Sequence, residues 1–222
     1  MNLAALQAAV QAKGYGTDTV AFQTQFINET YRTVCGSQRW TFLEKQDSTL
    51  VTVVGTEGYT LPMTDWRSID AVRISIPAAQ QYNDLDYKST QEFRDLVHLD
   101  RSTDTPSCWT YINQQLHFYP IPDNTYKVYI DYCYEPPDLA AAGDIPVIPV
   151  QYHDVLVWGG VDGMTFRERD WIGQNAAMTR VQQLTKAMAE EYAINQRQTG
   201  SHVKATRGKN PNLPYPFMQT GF

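Results

Sequence analysis

Residues Trp109 to Val150 read WTYINQQLHFYPIPDNTYKVYIDYCYEPPDLAAAGDIPVIPV, and this stretch decides the fold. From Tyr126 to Cys133 the residues alternate, with Tyr126, Val128, Ile130 and Tyr132 on one face and Lys127, Tyr129, Asp131 and Cys133 on the other. A period of two in β-branched and aromatic residues predicts a half-buried strand. Upstream, Trp109–Ile112 and Leu116–Tyr119 flank Asn113-Gln114-Gln115, a connection short enough for a hairpin. Pro120 and Pro122 are expected to stop the sheet, because proline has no N–H to give to a ladder. Asp123-Asn124 supplies turn chemistry. Pro136-Pro137, Pro146 and Pro149 then stiffen a lead into a helix.

Working toward the N-terminus, the β-signals continue. Thr49–Val54 is β-branched and reads as a strand, Gly55–Gly58 as a turn, and Tyr59–Pro62 as the start of a return strand. Ile69–Ile76 is another strand. Ala78–Lys88 is polar and reads as a loop. Ser89-x-x-Glu92 fits a capping box opening a short helix through about Leu96. Asp100–Ser107 reads as a polar loop. Six or seven strands between Thr49 and Cys133 are enough for a small antiparallel sandwich or barrel.

Helices bracket this β-region. Leu3, Leu6 and Val10 make the apolar stripe of a first helix, which Gly14-Tyr15-Gly16 ends. Thr17, Asp18 and Thr19 are N-cap types for a second, with Phe22, Phe26, Ile27, Tyr31 and Val34 inward and Gln23, Asn28 and Arg32 elsewhere. Arg39–Leu43 is expected to be an extended bridge into the sheet. After the central stretch, Gln151–Phe166 reads as a helix whose Gly159-Gly160 permits close approach of another backbone. Asp170 caps a last helix with Ile172, Ala176 or Ala177, Val181, Leu184, Met188 and Tyr192 inward. The expected fold class is therefore α+β: a four-helix bundle, two N-terminal and two C-terminal helices, with an inserted antiparallel β-sandwich or barrel and an extended C-terminal arm. The expected division is 1–43 with 150–197 as helical bundle, 44–149 as β-domain and 198–222 as arm.

Composition narrows the function classes. A 222-residue chain with 42% apolar and 19% charged residues suits a soluble globular protein. Fourteen tyrosines suit both strand faces and protein interfaces. Met1-Asn2-Leu3 has no basic start and Lys13 interrupts the short apolar run, so neither a secretory leader nor a membrane span is expected. Cys35, Cys108 and Cys133 are odd in number and widely spaced, which points to reduced, partly buried thiols. Net charge is −6, but Arg197, Lys204, Arg207 and Lys209 stand in a C-terminal stretch with no acid after Glu191. Residues 192–222 are thus +4 and residues 1–191 are −10. An acidic body is a poor gripper of DNA phosphates, and a basic tail seeks an acidic partner.

No catalytic, cofactor or metal site emerges from spacing. None of His98, His117, His153 and His202 is paired with a second His or Cys ligand. The triplet His98-Leu99-Asp100 arises by chance too often to mark a site. Asp84 and Asp86 near Asn83 read as a solvated loop, and Glu168 and Asp170 are two apart, where they do not face one another on a helix. No phosphate loop or nucleophile elbow is present. The tail carries more information. Pro211, Pro214 and Pro216 exclude a helix, yet Leu213, Tyr215, Phe217, Met218 and Phe222 are apolar. An extended, basic, apolar terminus reads as an arm that orders on a partner.

The sequence also resembles the head–tail connector (adaptor) proteins of tailed bacteriophages, of the tail tubular protein A or head completion adaptor type. The similarity runs through Arg39-Trp40, Thr52–Gly55, Gly58–Pro62, Ile69–Val72, Leu116–Pro122, Tyr129–Tyr132, Pro136–Leu139 and Ile145-Pro146 to Tyr152-His153. The resemblance implies a non-enzymatic ring of about twelve copies, docked under the portal and joined to the next tail or head-closure protein. Double-stranded DNA would pass through its lumen without specific binding. It places the protein in the virion, assembled in the host cytoplasm, with no cofactor and no membrane. It assigns portal binding to the arm: Lys204, Arg207, Lys209, Leu213, Tyr215, Phe217, Met218 and Phe222. Two other readings remain open: a tail-associated carbohydrate-binding module in the Tyr/Trp-rich β-region, which would lose sugar binding when Trp109 is replaced, and a virion-carried hydrolase sensitive to Asp170→Asn or His98→Ala.

Overall fold

The computed structural model describes residues 1–14, 20–76 and 81–194. The N-cap candidates Thr17, Asp18 and Thr19, and every residue of the expected arm, lie outside these. Two helices, α1 (Leu3–Ala12) and α2 (Val20–Ser37), precede the strands β1 (Glu44–Asp47), β2 (Gly58–Thr60), β3 (Trp66–Ile76) and β4 (Gln81–Tyr87). Helix α3 (Thr90–Leu99) is followed by β5 (Thr103–Asp104), β6 (Cys108–Ile112), β7 (Gln115–Tyr119), β8 (Ile121–Pro122) and β9 (Lys127–Tyr134). Helices α4 (Asp154–Glu168) and α5 (Trp171–Tyr192) close the described chain.

The alternation in the third strand holds. Tyr126, Val128, Ile130 and Tyr132 are all buried beside or along β9. Cys133 and Tyr134 are buried as well, because this end of β9 lies under the helices. The hairpin also holds, tightened to two residues: Asn113 and Gln114 both take positive φ (52° and 64°), the turn whose twist matches its strands. Ser89 and Glu92 complete the capping box, and the helix they start runs on to Leu99.

The sandwich or barrel does not. Seven strands form one sheet in the order β1-β9-β3-β4-β6-β7-β2, curled into a half-barrel, with β5 and β8 as a separate pair. Register shifts between Trp66 and Ser68 and between Ile69 and Ala71 bend β3 against β9. Nor is the sheet purely antiparallel, since β4 pairs with β6 in parallel. Parallel neighbours need a crossover, and α3 is that crossover. The stretch expected as a polar loop, 78–88, therefore contains a central strand. Only Leu85 of β4 is buried, so its sequence shows no apolar alternation. Conversely, Thr49–Val54 is not a strand. Thr52 N–H donates to Tyr126 O and Val128 N–H to Leu50 O (both 2.9 Å), but Val51, Val53 and Val54 are exposed. The strand beside β9 is instead β1, whose residues Glu44-Lys45-Gln46-Asp47 carry no β-signal at all. Arg39–Leu43 is not extended throughout: Trp40 bridges to Ala193, and Thr41–Leu43 is a 3-10 turn.

Among the helices α4 is the hub, with α1, α2 and α5 each packed on it. Its glycines explain why. A Cβ on Gly159 would run into Thr30, one on Gly163 into Phe26, and one on Gly160 would stand 2.8 Å from Val10 Cγ2. The contacts establish the expected bundle only as far as this hub. On α5, Ala177 and Met188 are buried and Val181, Leu184 and Tyr192 half-buried, as expected, but Ile172 is 86% exposed. On α2, Phe22 is exposed while Gln23 and Asn28 are buried, the reverse of expectation. Backbone demand drives the exchange for Asn28, whose amide donates to Leu139 O and accepts from Leu139 N–H (both 2.9 Å). Asp170 caps α5 as expected, its Oδ1 accepting from Gly173 N–H at 3.0 Å.

Asp162 on α4 is a weak point of this packing. Its Oδ1 is buried without a hydrogen-bond partner among the described residues, and burial pushes its carboxyl above the usual range. A raised folded-state value means that ionisation costs stability as pH rises through it, and that the cost is absent below the unfolded value. Asp162→Asn is therefore expected to stabilise the chain at pH 7 by about 0.5 kcal/mol, discounted for partial solvent access. The gain should vanish near pH 4. Chemical unfolding at the two pH values measures it, and equal differences at both would refute the assignment.

Candidate interaction surfaces

The residues singled out for chemistry are scattered. His98 is exposed in the last turn of α3. His117 is on β7, 3.8 Å from Glu57 and edge-on to Phe93. His153 is buried, with Nε2 2.8 Å from Ile148 O and Nδ1 2.6 Å from the Met1 amine, and burial lowers its pKa. Asp84 and Asp86 share one face of β4, and Asn83 alternates to the other, so the three do not converge. Among the described residues no group of three metal-ligating side chains exists. No helix there is long and apolar enough to cross a membrane. All three cysteines are free thiols, and burial pushes Cys35 up to about 12.

Trp109 does not form an exposed aromatic platform. It is buried, its ring packed against Tyr87 at 5.0 Å.

What the fold does build are faces. At the end of the helices remote from the sheet, Phe166 and Trp171 pack ring to ring at 6.2 Å, both more than half exposed. Arg167 covers Phe22 at 4.1 Å, and Val20 and Ile172 stay exposed. This corner exists because Arg169 takes a left-handed conformation (φ 61°), turning the chain from α4 into α5.

On the sheet, charges are paired. Arg39 bonds Asp70 at 2.7 Å and approaches Glu44 at 3.6 Å, Arg73 bonds Asp131 at 2.6 Å, and Lys45 bonds Asp65 at 2.8 Å. Burial raises the Asp70 carboxyl against the pull of Arg39, while the hydrogen bond from Lys45 holds Asp65 below its usual range.

Between α2, the start of β3 and the segment after β9 lies an open groove of about 340 Å³, lined by Arg32, Asp65, Trp66, Glu135, Pro137 and Asp138. Arg32 pairs with Asp138 at 3.3 Å. Glu135 is exposed and has no ion pair among the described residues. Sequence reasoning missed this groove, because three separate stretches form it. The available signal was Glu135-Pro136-Pro137-Asp138, a stiff acidic run directly after the best strand.

Exposed apolar clusters such as the Phe166–Trp171 corner are common at surfaces that contact other macromolecules. The sequence model of the SU10 adaptor protein family matches residues 1–210, and the chain belongs to that family, a family of phage head–tail adaptors. No curated protein sequence matches it. Membership makes the chain a structural component of the phage particle, with partners at the head–tail junction.

Proposed function

We propose that this chain forms a ring of about twelve copies beneath the portal and connects it to the next tail or head-closure protein. In this reading 1–43 with 150–197 is the ring-forming helical unit, 44–149 the β-unit, and 198–222 the arm that enters the portal through Lys204, Arg207, Lys209, Leu213, Tyr215, Phe217, Met218 and Phe222. Genomic DNA passes through the lumen without specific binding. The protein acts as structure and not as an enzyme. The observation that carries the reading, alongside family membership, is the division of charge: −10 over residues 1–191 and +4 beyond. Like charge along a channel keeps a polyanion sliding, and a basic, apolar arm can order on an acidic partner.

Co-sedimentation with the portal of the same genome tests it, using the full chain beside a 1–198 truncation. The full chain should sediment with the portal and show rings by electron microscopy. The truncation should lose binding by at least about tenfold, since the arm supplies most of the contact, while its thermal midpoint stays unchanged. Equal binding by both forms would remove the arm from the interface, and binding by neither would end the portal assignment. The carbohydrate-binding alternative loses Trp109 as a platform, since that ring is buried, while Tyr82 and Tyr87 of β4 stay exposed.

A further inference from the structure

The groove beside Trp66 and the tail of the same chain have complementary chemistry. The tail reads Arg207-Gly-Lys209-Asn-Pro211-Asn-Leu-Pro214-Tyr-Pro216. Two cations precede prolines three apart, the repeat of one polyproline II turn. Such segments dock on shallow surfaces where an aromatic ring and a proline receive the ridged peptide and carboxylates receive the flanking cations. The groove has these parts. Trp66 is half-buried, held edge-on to Tyr111 at 5.0 Å, so its ring is fixed before anything binds. Pro137 is exposed beside it, and Glu135 offers a carboxylate that no described cation occupies.

The chain's exit point makes the match intramolecular. Ile194 N–H donates to Arg39 O at 3.0 Å, so the described chain ends against Arg39. Arg32, on the groove, lies in α2 five residues before its end at Ser37, roughly 7.5 Å of helical rise, and Arg39 follows two residues later. Arg207 stands thirteen residue steps beyond Ile194, a reach of up to about 43 Å when extended. The segment arrives with slack.

We infer that the Arg207–Pro216 segment docks in its own chain's Trp66–Glu135–Pro137 groove. This goes beyond the adaptor reading and does not depend on it. If the arm also enters the portal, docking in the groove is the state it leaves, and Leu213 and Tyr215 are covered until then.

The test uses the full chain with no portal, so its outcome is separate from that of portal binding. A benzophenone-bearing phenylalanine replaces Tyr215, and crosslinks are mapped by mass spectrometry on a mixture of ordinary and ¹⁵N-labelled chains. The expected products join position 215 to Trp66, Pro137 or their neighbours, within chains of one isotope only. Glu135→Lys should lower the yield about fivefold, the scale of one exposed charge pair reversed. Lys209→Glu should lower it similarly, and that change leaves every residue of the described core as it is, so a loss there is not a loss of the core. Crosslinks to another surface, crosslinks between differently labelled chains, or a yield indifferent to both charge reversals would each overturn the inference.

Discussion

Gly159→Ala is expected to destabilise the chain by about 2–3 kcal/mol, although helix propensity alone favours alanine by about 1 kcal/mol. The added methyl has nowhere to go: its position is already taken by the Oγ1, Cγ2 and Cβ of Thr30 on α2. Either α2 and α4 move apart, opening voids beside Val10 and Ile27, or Thr30 leaves its rotamer. Equilibrium urea unfolding measures the loss. The pairing with Thr30 gives the sharper test, because Thr30→Ala removes two of the three obstructing atoms. In the doubly substituted chain the two changes should couple by at least about 1 kcal/mol, the range for residues in contact. A Gly159→Ala chain as stable as the parent would mean that α2 and α4 are not packed this closely.

Tyr132→Ala should cost about 3–5 kcal/mol, the usual range for deleting a buried aromatic side chain. Tyr132 is only 6% exposed on β9, and its hydroxyl lies 3.3 Å from Asp65 Oδ1. Tyr132→Phe keeps the ring and loses only that long hydrogen bond, so less than about 1 kcal/mol is expected. The ratio of the two losses separates packing from hydrogen bonding. An alanine loss below about 1 kcal/mol would put the ring outside the core.

These two sites also mark what the amino-acid order makes legible. Tyr132 announces itself through alternation, and Gly159 through its place in an otherwise helical run. The same local logic finds the Asn113-Gln114 hairpin, the Ser89–Glu92 box and the Asp170 cap. It fails where pairing is decided from afar. β4 owes its strand to five partners on β3, from Val72 opposite Leu85 to Ile76 opposite Gln81, and β1 owes its own to β9. Neither carries the apolar period that marks a strand, because each leaves most of its side chains to solvent. Val53 and Val54 have that character but sit in no strand, and the Val53 backbone bonds the Tyr59 hydroxyl instead.

Burial of Asn28 was illegible for a related reason, since its warrant is the free amide and carbonyl of Leu139, more than a hundred residues away. Ile172 shows the converse: its spacing fits an inward stripe, but α5 has α4 on one side only. The interaction surfaces divide in the same way. The proposed arm is continuous in sequence, so its composition is open to reading there. The groove is assembled from α2, β3 and the segment after β9, and only folding brings Arg32, Trp66 and Glu135 together.

The short clasp of Ala193 and Ile194 on Arg39 and Trp40 has a mechanical side. Any tension on residues beyond 194 enters the body there, not along the free length of α5. It passes to Trp40, which is fully buried, stacked on Phe42 at 5.5 Å and bonded through Nε1 to Val34 O at 2.8 Å. From Trp40 the load divides between the C-terminal end of α2 and, through Leu43, the β1 edge of the sheet. A pull on the C-terminus is thus borne by the seam between helices and sheet, and the first structure to yield under force is the clasp itself, which frees α5 to peel from α4.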